Sequence, residues 1–182
     1  MPTLERIRLP RGAPPGLSIT RDAQGVPHID GPGLEAVLWG LGFCHALDRG
    51  LQLLLTRLLG QGRASECLDA SDEALEIDRF FRRLNCRGHA AAELEKLSPG
   101  ARVQLAAYAG GINAQLRRRV PWELRLLGFE PEPWEGADCI ALSRVIGYVG
   151  LAQTQGDVER VFLEMVQAGV DDARLQIGRA HV

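Results

Sequence analysis

RDAQGVPHI, at residues 21–29, is the stretch that decides how this chain folds, and GFCHALDR follows it at residues 42–49. Apolar residues alternate on both sides of the polar turn that ends at Gly25. Glycine tolerates a positive φ angle, so this pattern predicts a β-hairpin. Prolines scattered through residues 1–33 keep that whole segment from becoming helical. The chain is therefore expected to begin with extended structure.

Beyond the hairpin the pattern is helical. Leucine and valine recur at steps of three and four residues over residues 34–59, which predicts one long helix ending at the glycines of residues 60–62. A second helix is expected over residues 71–84, and a third begins with Ser98 as N-cap. Further helices are expected after residue 138, broken by Gly147, Gly150 and Gly156, with one starting at Asp157. We expect an α+β fold of one segment over residues 1–182, with residues 34–178 helical.

Composition excludes several classes of protein. The 182 residues carry a net charge of −2, which argues against a nucleic-acid binder. The four cysteines form no CxxC pair, so reduced thiols are expected rather than a zinc site or a disulfide framework. No apolar stretch approaches the length of a membrane span, and residues 1–6 lack the apolar core of a secretory signal. A cytoplasmic protein is expected, or a periplasmic or secreted one whose signal peptide was removed.

Residues that could carry catalysis are few. No serine lies in a GxSxG turn, no phosphate-binding glycine motif is present, and the histidines never fall at helical metal-ligand spacing. His45, Asp48 and Arg49 share one helical face. They could be a catalytic His–Asp pair, with His28 or His45 as base, or a knot of ion pairs and hydrogen bonds that ties the helix to neighbouring loops. The lack of a nucleophile within reach favours the knot.

Five groups of residues follow one another along the chain: RDxxGVPHI with HAxDR, then Gly62-Arg63, Arg82-Arg83-Leu84, YAGGINA at residues 108–114 and LGFEPEPW at residues 127–134. Their order resembles the penicillin acylase family of N-terminal-nucleophile hydrolases. Each group alone is weak, whereas five in order are specific. The resemblance covers roughly residues 19–169.

The resemblance implies a precursor that cuts itself into an α chain, a spacer and a larger β chain. The N-terminal serine of β would act as both nucleophile and base. This chain would be the α subunit of an amide hydrolase and would contain no catalytic residue, with residues 179–182 as spacer or processed end. The implied fold is a four-layer αββα sandwich completed by the β chain. The implied substrate is a small N-acyl amide: a β-lactam side chain, an acyl-homoserine lactone or an acylated peptide. The alternative is a non-catalytic helical partner-binding module or a degenerate homologue.

The resemblance also assigns an acyl-binding segment at residues 148–156. Its substrate-binding residues are Tyr148, Leu151, Ala152 and Gln155. The small side chains at Ala152 and Gly156 imply either a wide acyl slot or merely close packing at a helix kink. Both alternatives stay open at the level of the sequence.

A structural Ca²⁺ ion is implied in the same way, and no organic cofactor is expected. Glu159 occupies the position of the single α-chain carboxylate, with the other oxygen ligands supplied by the β chain. Calcium requires several oxygen donors, so Glu159 would be one ligand among many. The alternative is a glutamate in the first turn of a helix, stabilised by the helix dipole.

Overall fold

The computed structural model describes residues 5–177, with the backbone alone described at residues 153, 176 and 177. The chain divides into two compact units, Met1–Leu142 and Ser143–Val182. Most described residues are helical and a small sheet lies near the start, so the expected predominantly helical α+β chain is confirmed. The four cysteines are free thiols. None of the helices within residues 5–177 is long and apolar enough to cross a membrane.

The sheet has three antiparallel strands in the order β1-β2-β3. Strand β1 is Glu5–Arg6, β2 is Ser18–Arg21 and β3 is Pro27–Asp30. In the hairpin Ile19 pairs with Ile29, and Gly25 adopts φ 79°, so the predicted hairpin is confirmed. Strand β1 was not predicted, because two residues are too few to show an alternating pattern.

Seven helices start in the first unit, and four of them were predicted from the sequence. They are α1 (Leu34–Gln61), α2 (Ala64–Cys67), α3 (Asp72–Leu84), α4 (Cys86–Lys96), α5 (Pro99–Arg118), α6 (Trp122–Leu126) and α7 (Gly136–Gly147). The hydroxyl of Ser71 accepts a hydrogen bond from the backbone of Ala74, and that of Ser98 accepts one from Ala101, so both predicted N-caps are confirmed. Helices α2, α4 and α6 were missed because they are short or lack a clear apolar period.

Helices α1 and α5 cross at two glycines, and the core of the unit lies around this crossing. A Cβ atom on Gly42 would lie 2.1 Å from the carbonyl oxygen of Tyr108, and one on Gly111 would lie 1.9 Å from that of Trp39. Helix α1 departs from helical geometry at Arg49 rather than at Gly42. The glycine at position 42 is therefore required for close helix packing.

The second unit is also helical, but its breaks differ from those predicted. A π-helical turn, Tyr148–Ala152, leads into α8 (Gln153–Gln167), and α9 spans Asp172–Ile177. The expected start of a helix at Asp157 is wrong, because Asp157 lies inside α8. The extra residue of the π turn absorbs the local irregularity, so Gly150 and Gly156 remain within helical backbone.

Candidate functional site

The hairpin and α1 are joined by an ion pair between the two opening motifs. The guanidinium of Arg21 donates one hydrogen bond to the carboxylate of Asp48 and another to the carbonyl of Gly25, at 2.7 Å. Arg21 therefore links the turn of the hairpin to the middle of α1. This contact supports the structural interpretation of Asp48.

The carboxylate of Asp22 stabilises the turn of the hairpin through hydrogen bonds. One of its oxygens accepts hydrogen bonds from the backbone N–H groups of Gln24 and Val26, each at 3.0 Å. The other lies 3.0 Å from Nε2 of His28. The hydrogen bond with His28 lowers the pKa of Asp22 below its usual value. His28 thus contacts a turn-forming carboxylate rather than a nucleophile.

His45 contacts α5 instead of Asp48. Its Nδ1 atom lies 2.7 Å from the hydroxyl of Tyr108, and the two rings meet edge to face. Burial raises the pKa of Tyr108 to about 12, so the phenol stays protonated at neutral pH. His45 and Asp48 therefore make the structural hydrogen bonds that the sequence favoured, but their partners lie on helix α5 and strand β2 rather than on neighbouring loops.

A buried ion pair that sequence reasoning missed fixes the LGFEPEPW segment. Arg57 of α1 lies 3.2 Å from the carboxylate of Asp138, and the two side chains are only 6% and 1% exposed. Arg57 also donates to the backbone carbonyls of Glu132 and Pro133, at 2.8 and 3.1 Å, and lies over the ring of Trp134. A planar guanidinium satisfies all these acceptors at once. No local sequence pattern could pair Arg57 with Asp138, because the two residues are far apart in the chain.

Two more contacts complete this cluster. The side chain of Asn113 bonds the backbone of Trp134 twice, donating to its carbonyl at 2.8 Å and accepting from its N–H at 2.7 Å. Arg87 donates to Asp138 at 2.7 Å. The segment is thereby attached to helices α1 and α5, and Asp138 at the start of α7 is attached to α1 and α4. These attachments give the YAGGINA and LGFEPEPW motifs a common structural role.

Asp78 forms a second buried polar cluster. Its carboxylate accepts hydrogen bonds at 2.8 Å from the backbone N–H groups of Ala64 and Ser65, and a third from the Ser65 hydroxyl. Burial acts to raise the pKa of Asp78, but these hydrogen bonds outweigh it and leave the pKa below its usual value. Asp78 therefore caps α2 as a buried anion.

The predicted acyl-binding residues all lie at the π turn and the start of α8, within the second unit. Tyr148 is half-buried, whereas the side chain of Leu151 is 76% exposed and Ala152 is exposed. Gln155 donates a hydrogen bond at 2.8 Å to Glu159. π-Helical turns are rare and occur often at functional sites. The substrate-binding role of these residues stays a prediction.

The predicted calcium ligand lies on α8, about two turns beyond the π turn. Glu159 is exposed, and Gln155 contacts one of its oxygens. Within residues 5–177 no group of three or more acidic, histidine or cysteine side chains is placed to hold a metal ion. The residues described thus fit calcium only as the source of a single ligand, which is what the resemblance implies.

The motif groups quoted from the sequence therefore form the hairpin, the crossing of α1 and α5, and the LGFEPEPW segment that Arg57 and Asn113 hold in place. The sequence profile of the penicillin amidase family matches residues 17–178. The chain belongs to the penicillin amidase family. The resemblance seen in the five motif groups is therefore confirmed.

Named relatives within the penicillin amidase family include two kinds of acylase. The chain is 43% identical to penicillin acylase 2 proenzyme of Pseudomonas sp. strain SE83 over 73% of its length, and covers 18% of that proenzyme. It is 35% identical to acyl-homoserine lactone acylase QuiP of Pseudomonas aeruginosa over 84% of its length, again covering 18% of the relative. The chain thus spans less than a fifth of the length of these two relatives.

A solved member of the family has a chain of similar extent. The structure of a thermostable penicillin G acylase from Alcaligenes faecalis superposes with a TM-score of 0.64 at 26% identity. The match covers 89% of this chain and 88% of the solved one. Nearly all of one solved polypeptide therefore corresponds to this chain.

Proposed function

We propose that this chain is the α subunit of a heterodimeric acylase that hydrolyses an N-acyl amide, and that an N-terminal serine of a separate β chain is the nucleophile. One observation carries the proposal. The chain matches 88% of one polypeptide in a solved penicillin G acylase but only 18% of a penicillin acylase proenzyme. A short solved chain and a long proenzyme are what processing into two subunits produces. The four-layer αββα fold belongs to the same proposal.

Three serines of the first unit support a nucleophile located elsewhere. Ser65 donates a hydrogen bond to buried Asp78, and the hydroxyls of Ser71 and Ser98 cap helices. The lowered pKa of Asp78 makes its carboxylate a weak base, so it activates Ser65 poorly as a nucleophile. Hydrogen bonds that stabilise the fold account for these three hydroxyls.

Apolar surface on α8 supports a partner chain. Val158, Val161 and Leu163 are 63%, 50% and 58% exposed, and they belong to one helix of the second unit. Exposed apolar groups in such number favour burial against another surface. The β chain is the proposed cover. In this arrangement the π turn would lie beside the acyl slot.

In the proposed reaction, the β-chain serine hydroxyl attacks the amide carbonyl while its own α-amino group takes the proton and passes it to the amine that leaves as the C–N bond breaks. Water then hydrolyses the acyl ester, which releases the carboxylic acid and restores the serine. The residues of this chain bind rather than react. Leu151 and Ala152 would contact the acyl group, and Gln155 would hold the polar side of the slot. The small residues Ala152 and Gly156 favour a wide slot that accepts medium-chain acyl groups.

The decisive experiment expresses the full open reading frame that encodes this chain. Mass spectrometry should find a separate β chain that begins with serine, and the purified protein should hydrolyse N-acyl amides. An alanine variant of that serine should remain unprocessed and inactive. A full-length product that is neither cleaved nor active would support the alternative of a non-catalytic partner-binding module.

Acyl specificity is tested by filling the slot. Ala152→Leu should reduce kcat/KM for a medium-chain acyl amide by about tenfold, because one misplaced group in an apolar pocket costs about 1–3 kcal/mol. Ala168→Leu, at the other end of α8, is the control and should have no effect. A wild-type enzyme that strongly prefers phenylacetyl amides would remove the wide-slot hypothesis.

Calcium binding is tested on the assembled enzyme. Metal analysis should find one Ca²⁺ per heterodimer, and Glu159→Gln should weaken its retention during dialysis. Glu164→Gln, also exposed on α8, is the matched control. Absence of bound calcium from the wild-type heterodimer would eliminate this part of the proposal.

A further inference from the structure

A pocket of about 480 Å³ lies beside the N-terminal end of α1, within the first unit. Its lining comes from residues 14–15, from residues 32–36 with Trp39, and from Gln104 and Ala107 of α5. The volume falls within the range of small-molecule sites. None of these residues belongs to the polar clusters described above or to the proposed acyl slot. The pocket is therefore a separate feature of the first unit.

Proline rings form an accessible apolar wall of this pocket. Pro15 and Pro32 are exposed, and Pro14 is half-buried. The two proline segments lie side by side, because a Cβ on Gly16 would be 3.6 Å from the ring of Pro32. A backbone hydrogen bond of 3.2 Å from Leu17 to the carbonyl of Pro14 holds the loop in place. A proline ring loses almost no side-chain freedom when a ligand covers it, so this wall is suited to an apolar group.

Trp39 brings an unpartnered hydrogen-bond donor to the pocket. The residue is only 9% exposed, and its ring stacks on that of Phe43 at a centroid distance of 5.6 Å. Its indole N–H donates to no acceptor in the part of the chain that the structure describes, yet the nitrogen is not sealed in the protein. The one enclosed and unpartnered polar side-chain atom in that part is Oε1 of Gln115. A Cβ on Gly110 would lie 3.4 Å from the indole nitrogen, one turn along α5 from Ala107 of the pocket lining. The indole N–H therefore opens into the pocket.

The start of α1 supplies further donors. Gly33 is the N-cap and has no side chain to accept a hydrogen bond. The backbone N–H groups of Leu34, Glu35 and Ala36 have no acceptor among the described residues, and all three residues line the pocket. Free N–H groups in the first turn give the start of a helix a positive partial charge and favour an acceptor there. The helix start and the Trp39 indole thus favour the same kind of ligand group, a hydrogen-bond acceptor.

Glu35 determines which acceptor fits. Among the residues that line the pocket, it is the one that carries a charge, and it is exposed. Its carboxylate opposes the helix dipole and repels a ligand anion. A neutral carbonyl oxygen accepts the same hydrogen bonds without that repulsion, and the N–H of a carboxamide can donate to the carboxylate. The polar groups of the pocket therefore suit an amide better than a carboxylate or a phosphate.

We propose that this pocket binds a small neutral carboxamide that carries an apolar ring. The carbonyl oxygen would accept hydrogen bonds from the Trp39 indole and from the first turn of α1, and the amide N–H would donate to Glu35. The ring would pack on the prolines and on Leu34, which is 58% exposed. A few placed polar groups in an otherwise apolar cavity are typical of small-molecule sites. This site goes beyond the proposed function and does not depend on it.

Benzamide is the probe, titrated by ligand-observed NMR into the purified product of the full open reading frame. Benzamide should bind saturably, and the same spectra report any hydrolysis to benzoate. Acetamide, which lacks the ring, and benzoate, which replaces the amide with a carboxylate, should each bind about tenfold more weakly.

Two substitutions test the polar groups separately. Trp39→Phe keeps an aromatic ring but removes the N–H, and it should weaken benzamide binding about fivefold, the loss expected for one hydrogen bond. Trp122→Phe, at an exposed tryptophan outside the pocket, is its control and should bind as wild type. Glu35→Gln changes an exposed side chain, so the fold is retained; it should strengthen benzoate binding about tenfold and leave benzamide binding within about twofold. Glu73→Gln, at an exposed glutamate in the first turn of α3, is the matched control and should change neither.

Benzamide can also enter the proposed acyl slot, so the two sites must be separated. The component assigned to this pocket is the one that Trp39→Phe weakens and Ala152→Leu leaves unchanged. Amide hydrolysis by Glu35→Gln should equal that of wild type. A product that binds benzamide in this way but is neither cleaved nor active would remove the proposed function and keep the pocket. An active, processed enzyme without this component would do the reverse.

Three results would overturn the proposal. The first is no saturable benzamide binding that Ala152→Leu leaves in place. The second is benzoate that binds wild type as tightly as benzamide, because Glu35 would then not select a neutral ligand. The third is a pair of variants, Trp39→Phe and Glu35→Gln, that bind both probes as wild type does.

Discussion

Replacing Gly111 with alanine is expected to force helices α1 and α5 apart. The new Cβ would lie 1.9 Å from the carbonyl oxygen of Trp39 and 2.7 Å from the backbone nitrogen of Phe43, where real Cβ contacts essentially never fall below 3.0 Å. Both neighbours are main-chain atoms of α1, so no side-chain rotation can relieve the clash. The helices must separate by about 1 Å along the whole crossing. Ile112 and Phe43, both fully buried beside it, would lose contact.

The free energy of unfolding that Gly111→Ala should lose follows from the known effects of overpacking a core. Forcing extra volume into a packed core costs about 3 kcal/mol, against which alanine regains about 1 kcal/mol of helix propensity over glycine. A net loss of about 2 kcal/mol should lower the melting temperature of the processed enzyme by about 1–2 °C, measured by differential scanning calorimetry, because the shift is this loss divided by an unfolding entropy that grows with chain length.

Gly100→Ala is the matched control for this measurement. It lies on the same helix with nothing within 4 Å of the added Cβ, so it should melt at or slightly above the wild-type temperature. If Gly111→Ala and Gly100→Ala melt together, the close crossing does not limit the stability of the protein and the reasoning fails.

Three other substitutions address the polar clusters. The lowered pKa of Asp78 contributes stability that is present above about pH 4, the ordinary carboxyl range, and is lost as the pH falls through the lower folded-state pKa. In Asp78→Asn the melting temperature should therefore fall less steeply than in wild type as the pH is lowered. An unchanged acid dependence of the melting temperature would contradict this. Arg57→Lys cannot reproduce the fork that reaches Asp138 and the backbone carbonyls, so it should destabilise the enzyme by about 3 kcal/mol in urea unfolding; a wild-type midpoint would refute it. Tyr108→Phe removes only the hydrogen bond to His45 and should cost about 1 kcal/mol in the same assay; a loss above about 3 kcal/mol would indicate a larger role for the phenol.

Local signals predicted a large part of the fold. The hairpin, α1, α3 and α5 followed from alternation, from helical period and from N-cap serines such as Ser71 and Ser98, because each of these signals acts within a turn or two of backbone. The same reasoning failed at residues 147–157. Glycines there suggested breaks, whereas the backbone stays helical through a π turn, since neighbouring residues can shift the hydrogen-bond pattern without leaving the helix.

The candidate site was predicted only in part. The motif order led to the penicillin amidase family, which the family profile confirms. It also placed Tyr148, Leu151, Ala152, Gln155 and Glu159 in roles that remain predictions. Their positions on one short stretch of helix are now known, but a binding role depends on a partner surface.

By itself, the sequence determined the secondary structure where the signals were local, and it determined the family through the order of its motifs. Only the tertiary structure decided which polar groups meet: Arg57 with Asp138, His45 with Tyr108, and Arg118 with Arg8. It also showed that Gly42 and Gly111 allow helices α1 and α5 to cross in close contact. The physical reason is that a cap or a period is satisfied within a few residues, whereas a buried charge or a missing side chain has meaning only once a distant segment packs against it.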